Sequence, residues 1–486
     1  MRSTVWVGLG TYLNQGIGFV STLVMTRLLS PEVFGFFSMA IFWTTLLNLR
    51  TKSGLSYAAI RQPASDGDLL GTYWVLDILG VASSLALSVA AAFALSRFGY
   101  RSEVTLGLVV LMAADGITVL VSPLGMILEK EMQVSRLTLV SLLASIVAYG
   151  IAIYLAATGA GIWSLIAVNA VSSLVALAGV YWVCRQRWPL AFKWHWRFSR
   201  TLADQLLRQG LPTGLSLTAL GSIVMQFDNF LIGTFVGYAT LGFYDRAYRI
   251  ASWPNLLLTM IVSRIGFLTF AKVQNDPPRL THAVRLSLWV LTTLGIPLAL
   301  FLFFGASDIV QILYGGKWSQ SAFFLRFLTI YSLVWPFVSV GFWLSVALGH
   351  TRTTTFLTAT QAIALVVLAT PLTLKWGAMG TIAGVGLTMA LAFSLSCAYI
   401  FRQVSLSFVA TFGPAAIAGL IAAGVLLASR QFAVWGQLAP LVRLVATGLI
   451  GPSAFILVLL ALRPKEMIER LRYLMQLWSK RSAAQV

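Results

Sequence analysis

The chain has 486 residues, of which 58% are hydrophobic and only 10% are charged. A soluble protein carries about a quarter charged residues, so the composition excludes an ordinary soluble enzyme. The net charge is +19, from 34 Lys and Arg against 15 Asp and Glu. In a soluble protein this excess would favour nucleic-acid binding, but basic loops on one side of a membrane produce the same excess. We therefore predict a polytopic membrane protein with no nucleic-acid partner.

Apolar runs of about twenty residues recur along the whole chain, which is the length that a helix needs to cross a bilayer core of about 30 Å. We predict an all-α integral membrane fold with about fourteen transmembrane helices. The predicted helices are residues 5–28, 33–60, 69–95, 104–128, 136–157, 161–184, 211–235, 243–270, 285–304, 322–347, 353–374, 377–401, 408–428 and 438–462.

Positive charge predicts the orientation of these helices. Of the 34 Lys and Arg residues, about 23 fall on one face when both termini share it, and about 6 fall on the other. Because cytoplasmic loops carry the excess of Lys and Arg, we predict that both termini are cytoplasmic. Extracytoplasmic loops are then short, and no loop is long enough to hold a soluble catalytic domain.

A repeated motif divides the chain into two halves. Gly35-Phe-Phe matches Gly242-Phe-Tyr at an offset of 207 residues, and Gly161 matches Gly377 at an offset of 216. These offsets predict a six-helix unit that appears twice in the same orientation, with the substrate path between the halves. The predicted parts are an N-lobe (1–184), a basic cytoplasmic linker (185–210), a C-lobe (211–403), two extra helices (404–462) and a basic tail (463–486). In the linker, Trp188, Trp194 and Trp196 predict an amphipathic segment anchored at the lipid headgroups.

Charged residues inside predicted helices are the main functional signal, because a charge at a helix centre costs about 2.5–3.5 kcal/mol on insertion scales. Such residues usually face a cavity or a partner. The candidate acids are Asp77, Asp115, Asp228 and Asp245, and the candidate cations are Arg27, Arg50, Lys52, Arg246 and Arg249. Asp245 and Arg249 are four residues apart and therefore lie on one helix face.

Two structural interpretations remain open beside the functional one. Arg27, Arg246 and Arg249 lie near the outer ends of their helices, from where arginine side chains reach lipid phosphates without any role in transport. Asp77 and Asp115 are equally suited to buried hydrogen bonds that hold helices together.

Signatures of an enzyme are absent from the sequence. The three histidines, His195, His282 and His350, fall in separate loops, so they predict no metal site. No Walker loop with its lysine is present. We predict a protein that is not an enzyme and that needs no cofactor.

Four segments together resemble a known family. They are residues 27–35 (Arg-Leu-Leu-Ser-Pro-Glu-Val-Phe-Gly), 228–249 (Asp-Asn-Phe-Leu-Ile-Gly, then Tyr-Asp-Arg-Ala-Tyr-Arg), 313–318 (Leu-Tyr-Gly-Gly-Lys-Trp) and 347–352 (Ala-Leu-Gly-His-Thr-Arg). In this order they resemble the Wzx-type polysaccharide-export flippases of the multidrug/oligosaccharidyl-lipid/polysaccharide superfamily, over essentially the whole chain.

The resemblance implies a V-shaped pair of six-helix lobes and alternating access across the bacterial inner membrane. It implies a polyprenyl-pyrophosphate-linked oligosaccharide as cargo, with polysaccharide polymerase and export proteins as further partners. By helix position it implies that Arg27, Arg50 or Lys52, and Arg246 or Arg249 hold the pyrophosphate. Arginine suits this role because its planar fork matches phosphate oxygens. The alternative is a cation-coupled antiporter of small amphipathic molecules, in which Asp77, Asp115 and Asp228 would serve coupling.

Overall fold

The computed structural model describes residues 2–62, 67–130, 134–187, 197–214, 218, 220–261, 267–465, 467 and 469. Within these ranges every regular element is helical. The α-helices are α1 (Arg2–Leu28), α2 (Pro31–Leu47), α3 (Leu49–Lys52), α4 (Leu55–Arg61), α5 (Gly67–Arg97), α6 (Ser102–Ile117), α7 (Ser122–Lys130), α8 (Val134–Ala157), α9 (Ile162–Arg187), α10 (Arg200–Gly214), α11 (Leu220–Phe235), α12 (Tyr238–Ile261), α13 (Phe267–Val273), α14 (Pro277–Leu313), α15 (Ser319–Ala347), α16 (Thr351–Ala364), α17 (Thr370–Gln403), α18 (Phe408–Ser429), α19 (Ala433–Gln437) and α20 (Pro440–Leu462).

The predicted all-α membrane class is confirmed. Among the described residues, nine helices are long and apolar enough to cross a membrane. The count of fourteen stays a prediction, since one of these nine spans, Arg352–Gln403, covers two predicted helices. The linker tryptophans Trp188, Trp194 and Trp196 lie outside the described residues.

The structure divides the predicted helix 33–60 into α2, α3 and α4. Asn48 ends α2, and its side chain accepts a hydrogen bond from the Thr51 backbone N–H at 3.2 Å, which caps α3. Gly54 then adopts a φ of 64° before α4, a conformation that favours glycine. The apolar composition of the segment conceals both breaks, because hydropathy does not distinguish one helix from three short ones.

The chain forms two compact units. The first contains Met1–Asp245 and Ala362–Gly384, and the second contains Arg246–Gln361 and Val385–Val486. In the first unit, a core includes Leu55, Tyr73, Leu124 and Leu206 from α4, α5, α7 and α10. In the second, a core joins α13, α14, α15 and α17. The predicted lobe boundaries stay a prediction.

The repeat motif forms a reciprocal contact within the first unit. A Cβ on Gly35 would collide with the backbone carbonyl of Tyr238, and a Cβ on Gly242 would collide with that of Pro31. Pro31 and Tyr238 are also 207 residues apart, so each contact is the repeat copy of the other. Only glycine permits this approach of the first turns of α2 and α12.

Candidate functional site

The break between α2 and α4 positions a polar cluster inside the first unit. It consists of Asn48 and Arg50 from the broken segment, Asp77 from α5, and Asp115 with Thr118 from the end of α6. The backbone N–H of Leu49 donates to the Ser84 hydroxyl at 2.9 Å and so attaches α3 to α5. We call these five residues, Asn48, Arg50, Asp77, Asp115 and Thr118, the Arg50 cluster.

Arg50 bridges two helices through its guanidinium group. Its Nε lies 2.9 Å from Asp77 Oδ1, and its Nη1 lies 3.4 Å from Asp115 Oδ2. The same Nη1 donates to the Thr118 hydroxyl at 2.8 Å, and Asn48 Nδ2 donates to Asp115 Oδ2 at 3.1 Å. The structure therefore joins one predicted cation and two predicted acids in a single network.

Glycine allows α3 to approach α5 this closely. A Cβ on Gly80 would lie 3.3 Å from the Arg50 Cα, which is tighter than ordinary packing. Gly80 also lies three residues after Asp77, so it occupies the same face of α5. The local sequence of α5 thus sets the distance between the Arg50 guanidinium and Asp77.

The two acids of the Arg50 cluster have different environments. The Asp77 side chain is 4% exposed and its Oδ2 is buried without a hydrogen-bond partner among the described residues, whereas the Asp115 side chain is 35% exposed. One guanidinium against two carboxylates leaves one excess negative charge when both acids are ionised. Unbalanced charge is costly in an apolar interior, so this excess of carboxylate makes the cluster a candidate for ion coupling.

The other predicted cations differ in exposure. Lys52 is 9% exposed, and its Nζ donates to the Leu46 carbonyl at the end of α2. Arg246 is 2% exposed and is among the largest fully buried side chains. Arg27 and Arg249 are exposed. Exposure is compatible with either lipid or a cavity at Arg27 and Arg249, whereas the burial of Arg246 does not fit a lipid-facing side chain in this structure.

The remaining predicted acids lie on α11 and α12. Asp228 is 6% exposed, and its two oxygens accept hydrogen bonds from the Tyr244 hydroxyl at 2.6 Å and from the Asn229 backbone N–H at 2.9 Å. Asp245, the residue directly after Tyr244 in α12, is half-buried. The structure thus places Asp228 and the Arg50 cluster in two separate hydrogen-bond networks.

Several polar residues of these networks were not predicted. Thr118, Asn48 and Tyr244 contact the predicted charges, but isolated hydroxyl and amide groups in apolar helices give little sequence signal. In the second unit, Asp308 on α14 pairs with Arg443 on α20 at 2.7 Å. Asp308 falls between the predicted helices 285–304 and 322–347, so the sequence does not predict it as an intramembrane charge.

Comparison with known proteins identifies the family. The model of a protein family described as "Polysaccharide biosynthesis protein" matches residues 24–323. The succinoglycan biosynthesis transport protein ExoT of Rhizobium meliloti is 27% identical over 333 residues, which cover 66% of this chain and 63% of that relative. The match thus spans less than two thirds of the relative's own length.

Solved structures show the same fold. The lipid II flippase MurJ in an inward closed conformation has a TM-score of 0.75 and 17% identity, over 95% of this chain and 100% of that one. An inward-facing multidrug resistance transporter of the MATE family, in the MOP superfamily, has a TM-score of 0.64 and 17% identity, over 80% and 95% of the two chains. These structures confirm the predicted fold, and the match over residues 24–323 shows that the chain belongs to the polysaccharide biosynthesis protein family.

Proposed function

We propose that the chain is a flippase that moves a polyprenyl-pyrophosphate-linked oligosaccharide repeat unit across the bacterial inner membrane by alternating access. The product would enter exopolysaccharide or lipopolysaccharide O-antigen synthesis. The observation that carries the proposal is the set of cations inside apolar helices, in a chain that belongs to a polysaccharide biosynthesis family. A transport role also accords with the names of ExoT and of the two structural neighbours.

The chemistry of the cargo explains the buried cations. A pyrophosphate carries two or more negative charges, which would cost tens of kcal/mol in hydrocarbon without partners. Arg246 and Lys52 are buried at 2% and 9% exposure and supply positive charge inside the protein. The Arg50 guanidinium already contacts two carboxylates, so a phosphate at Arg50 would have to displace them. We therefore favour Lys52 over Arg50 among the predicted ligands on α3, and Arg246 remains the buried candidate on α12, with Arg27 and Arg249 at exposed positions.

Coupling belongs to the same proposal. The Arg50 cluster has one carboxylate more than it has cations, and binding of a proton there would remove the excess charge. We propose that Asp77 and Asp115 couple transport to a proton or sodium gradient. We also propose cytoplasmic termini, as the excess of Lys and Arg on one face requires, and polymerase and export proteins as the partners that remove the product.

The test uses arginine variants in a deletion strain. Arg246→Ala and Arg249→Ala are each expressed, and lipid-linked oligosaccharide on the cytoplasmic leaflet is quantified at equal membrane protein levels. We expect accumulation with Arg246→Ala and partial recovery with Arg246→Lys, which restores the charge. Arg352→Ala is the matched control, because Arg352 is an exposed arginine at the start of α16. Normal export by both variants and by the double variant would reject a pyrophosphate site at these arginines.

A second candidate function is a cation-coupled antiporter of small amphipathic molecules. The MATE-family neighbour and the acid-rich Arg50 cluster favour it. In that case the deletion strain would keep normal surface polysaccharide and would become sensitive to amphipathic drugs. Loss of polysaccharide without a change in drug sensitivity would reject it.

A further inference from the structure

A polar cavity of about 290 Å³ opens in the second unit, and none of its lining residues belongs to the Arg50 cluster. It lies between the first turns of α14, the segment that precedes α18 and the residue that follows α20. The polar or charged side chains that line it are Arg285, Trp289, Ser405, Ser407, Thr411 and Arg463. Among the described residues, the lining contains two guanidinium groups and no carboxylate. Its charge therefore favours an anion.

The start of α18 adds to this positive potential. Ser407 is the N-cap of α18, and its side chain accepts a hydrogen bond from the Ala410 backbone N–H at 3.5 Å. The N-terminus of a helix of 22 residues carries the positive end of the helix dipole. Ser407 and Ala410 both line the cavity, so this end of α18 faces the same space as Arg285 and Arg463.

A narrower cavity of about 30 Å³ continues from the first one. It shares Trp289, Ala410, Thr411 and Arg463 with it and reaches deeper between α14, α18 and α20. The deeper lining adds mainly apolar side chains, namely Pro414, Ala415, Leu459 and Met467. The hydroxyl of Thr293 also lines it and is buried without a hydrogen-bond partner among the described residues.

A charged mouth above an apolar interior matches an amphiphile with an anionic head. We propose that this cavity binds the phosphate headgroup of an anionic phospholipid, with Arg285 and Arg463 on the phosphate and the start of an acyl chain along Pro414 and Leu459. The three segments meet on the side that we propose to be cytoplasmic, whose leaflet carries anionic lipids. Basic pockets between transmembrane helices on that side are recurrent sites for such headgroups. The proposal is independent of the cargo, because none of the cavity residues belongs to the proposed cargo site.

The first test measures lipid retention by native mass spectrometry of the purified full chain. Phosphatidylglycerol and phosphatidylcholine with identical acyl chains are titrated separately. We expect the wild-type chain to retain phosphatidylglycerol more tightly than phosphatidylcholine. In Arg285→Gln, Arg463→Gln and the double variant, phosphatidylglycerol binding should weaken by about fivefold for each arginine removed. The same retention in the double variant as in the wild-type chain would overturn the proposal.

Two further variants separate the site from general electrostatics and from misfolding. Arg352→Gln removes the same charge from an exposed position outside the cavity and should retain phosphatidylglycerol like the wild-type chain. Ala410→Trp keeps both arginines but fills the mouth, and it should weaken binding at least as much as the double variant. Retention by Ala410→Trp at the wild-type level would place the lipid elsewhere and overturn the proposal.

A third measurement distinguishes the source of the phosphate. Undecaprenyl pyrophosphate is titrated against the chain saturated with phosphatidylglycerol. Independent binding of both lipids, with only phosphatidylglycerol sensitive to Arg285→Gln, supports a phospholipid site. Displacement of phosphatidylglycerol by an equimolar amount of the polyprenyl lipid would assign the cavity to the cargo and overturn the phospholipid proposal.

Discussion

The Arg50 cluster of the first unit and the Arg443–Asp308 pair of the second both place an arginine against a buried aspartate, but with different charge balance. Arg50 contacts two carboxylates, at 2.9 and 3.4 Å. Arg443 directs Nε and Nη2 to a single oxygen of Asp308, at 3.0 and 2.7 Å. The first site has an excess acid, whereas the second is neutral within the pair.

The two sites also differ in the number of cations around them. Around Asp308, Arg326 donates to the Ser307 hydroxyl at 2.8 Å, and the Arg430 guanidinium lies 5.2 Å from the centre of the Phe304 ring. Both groups add positive charge near a carboxylate that is already paired with Arg443. At the Arg50 cluster no second cation contacts Asp77 or Asp115 among the described residues. We infer that the pair in the second unit is structural, whereas the Arg50 cluster keeps the excess acid on which the coupling proposal depends.

The largest effect on stability is expected from breaking the neutral pair. Arg443→Met leaves Asp308, with its side chain 8% exposed, without its partner. An uncompensated buried charge costs about 3–5 kcal/mol, and both the 24% exposure of Arg443 and the nearby charge of Arg430 place the expected loss at the lower limit, about 3 kcal/mol. Thermal unfolding of the purified protein in detergent measures this loss.

The double variant Arg443→Met/Asp308→Leu is the control for this prediction, since removing both charges should recover most of the stability. Transport per folded molecule should be unchanged in both variants. A wild-type melting temperature for Arg443→Met would show that the pair is not structural and would remove the contrast with the Arg50 cluster.

The sequence predicted the class of fold because membrane helices are specified by composition, which is a local property. It also predicted the repeat, since Gly161 and Gly377 both adopt positive φ angles, 56° and 58°. The helix break at Asn48 was not predicted. It depends on one capping side chain, Asn48, and on one glycine, Gly54, and both lie in an otherwise apolar sequence. Helix breaks of this kind depend on packing that a hydropathy pattern does not contain.

The sequence predicts the charged residues of the candidate site but not the contacts between them. Asp77, Asp115 and Arg50 were selected individually, because each places a charge in apolar sequence. These three residues contact one another because Gly80 lets α3 approach α5. The turn at Thr118 adds a hydroxyl that accepts a hydrogen bond from Arg50. Arg50 was interpreted as a ligand of pyrophosphate, and only the tertiary contacts show that two carboxylates already surround it. That role for Arg50 stays a prediction.

A similar loss of stability is expected from removing the cation of the Arg50 cluster. Arg50→Met leaves the Asp77 carboxylate, which is 4% exposed, without its cation and beside Asp115, although Asp115 is 35% exposed and is able to hydrate. We therefore expect a loss of about 3 kcal/mol, and export in the deletion strain should fall below about a tenth of the wild-type rate. Arg50→Lys keeps the charge and should retain part of the export. Full export by Arg50→Met at normal protein levels would show that the cluster has no part in transport.

The smallest effect on stability, below about 1 kcal/mol, is expected from neutralising Asp77. Asp77→Asn keeps the oxygen that accepts from Arg50 Nε, but it balances one guanidinium with one carboxylate, so the cluster no longer gains from binding a proton. Asp115→Asn gives the same charge balance from the other acid, at a side chain that is 35% exposed. Export should therefore lose its response to a proton uncoupler in both variants. The rates of export with and without the uncoupler measure this response, and an unchanged response in both variants would move coupling out of the Arg50 cluster to Asp228 and its hydrogen bond with Tyr244.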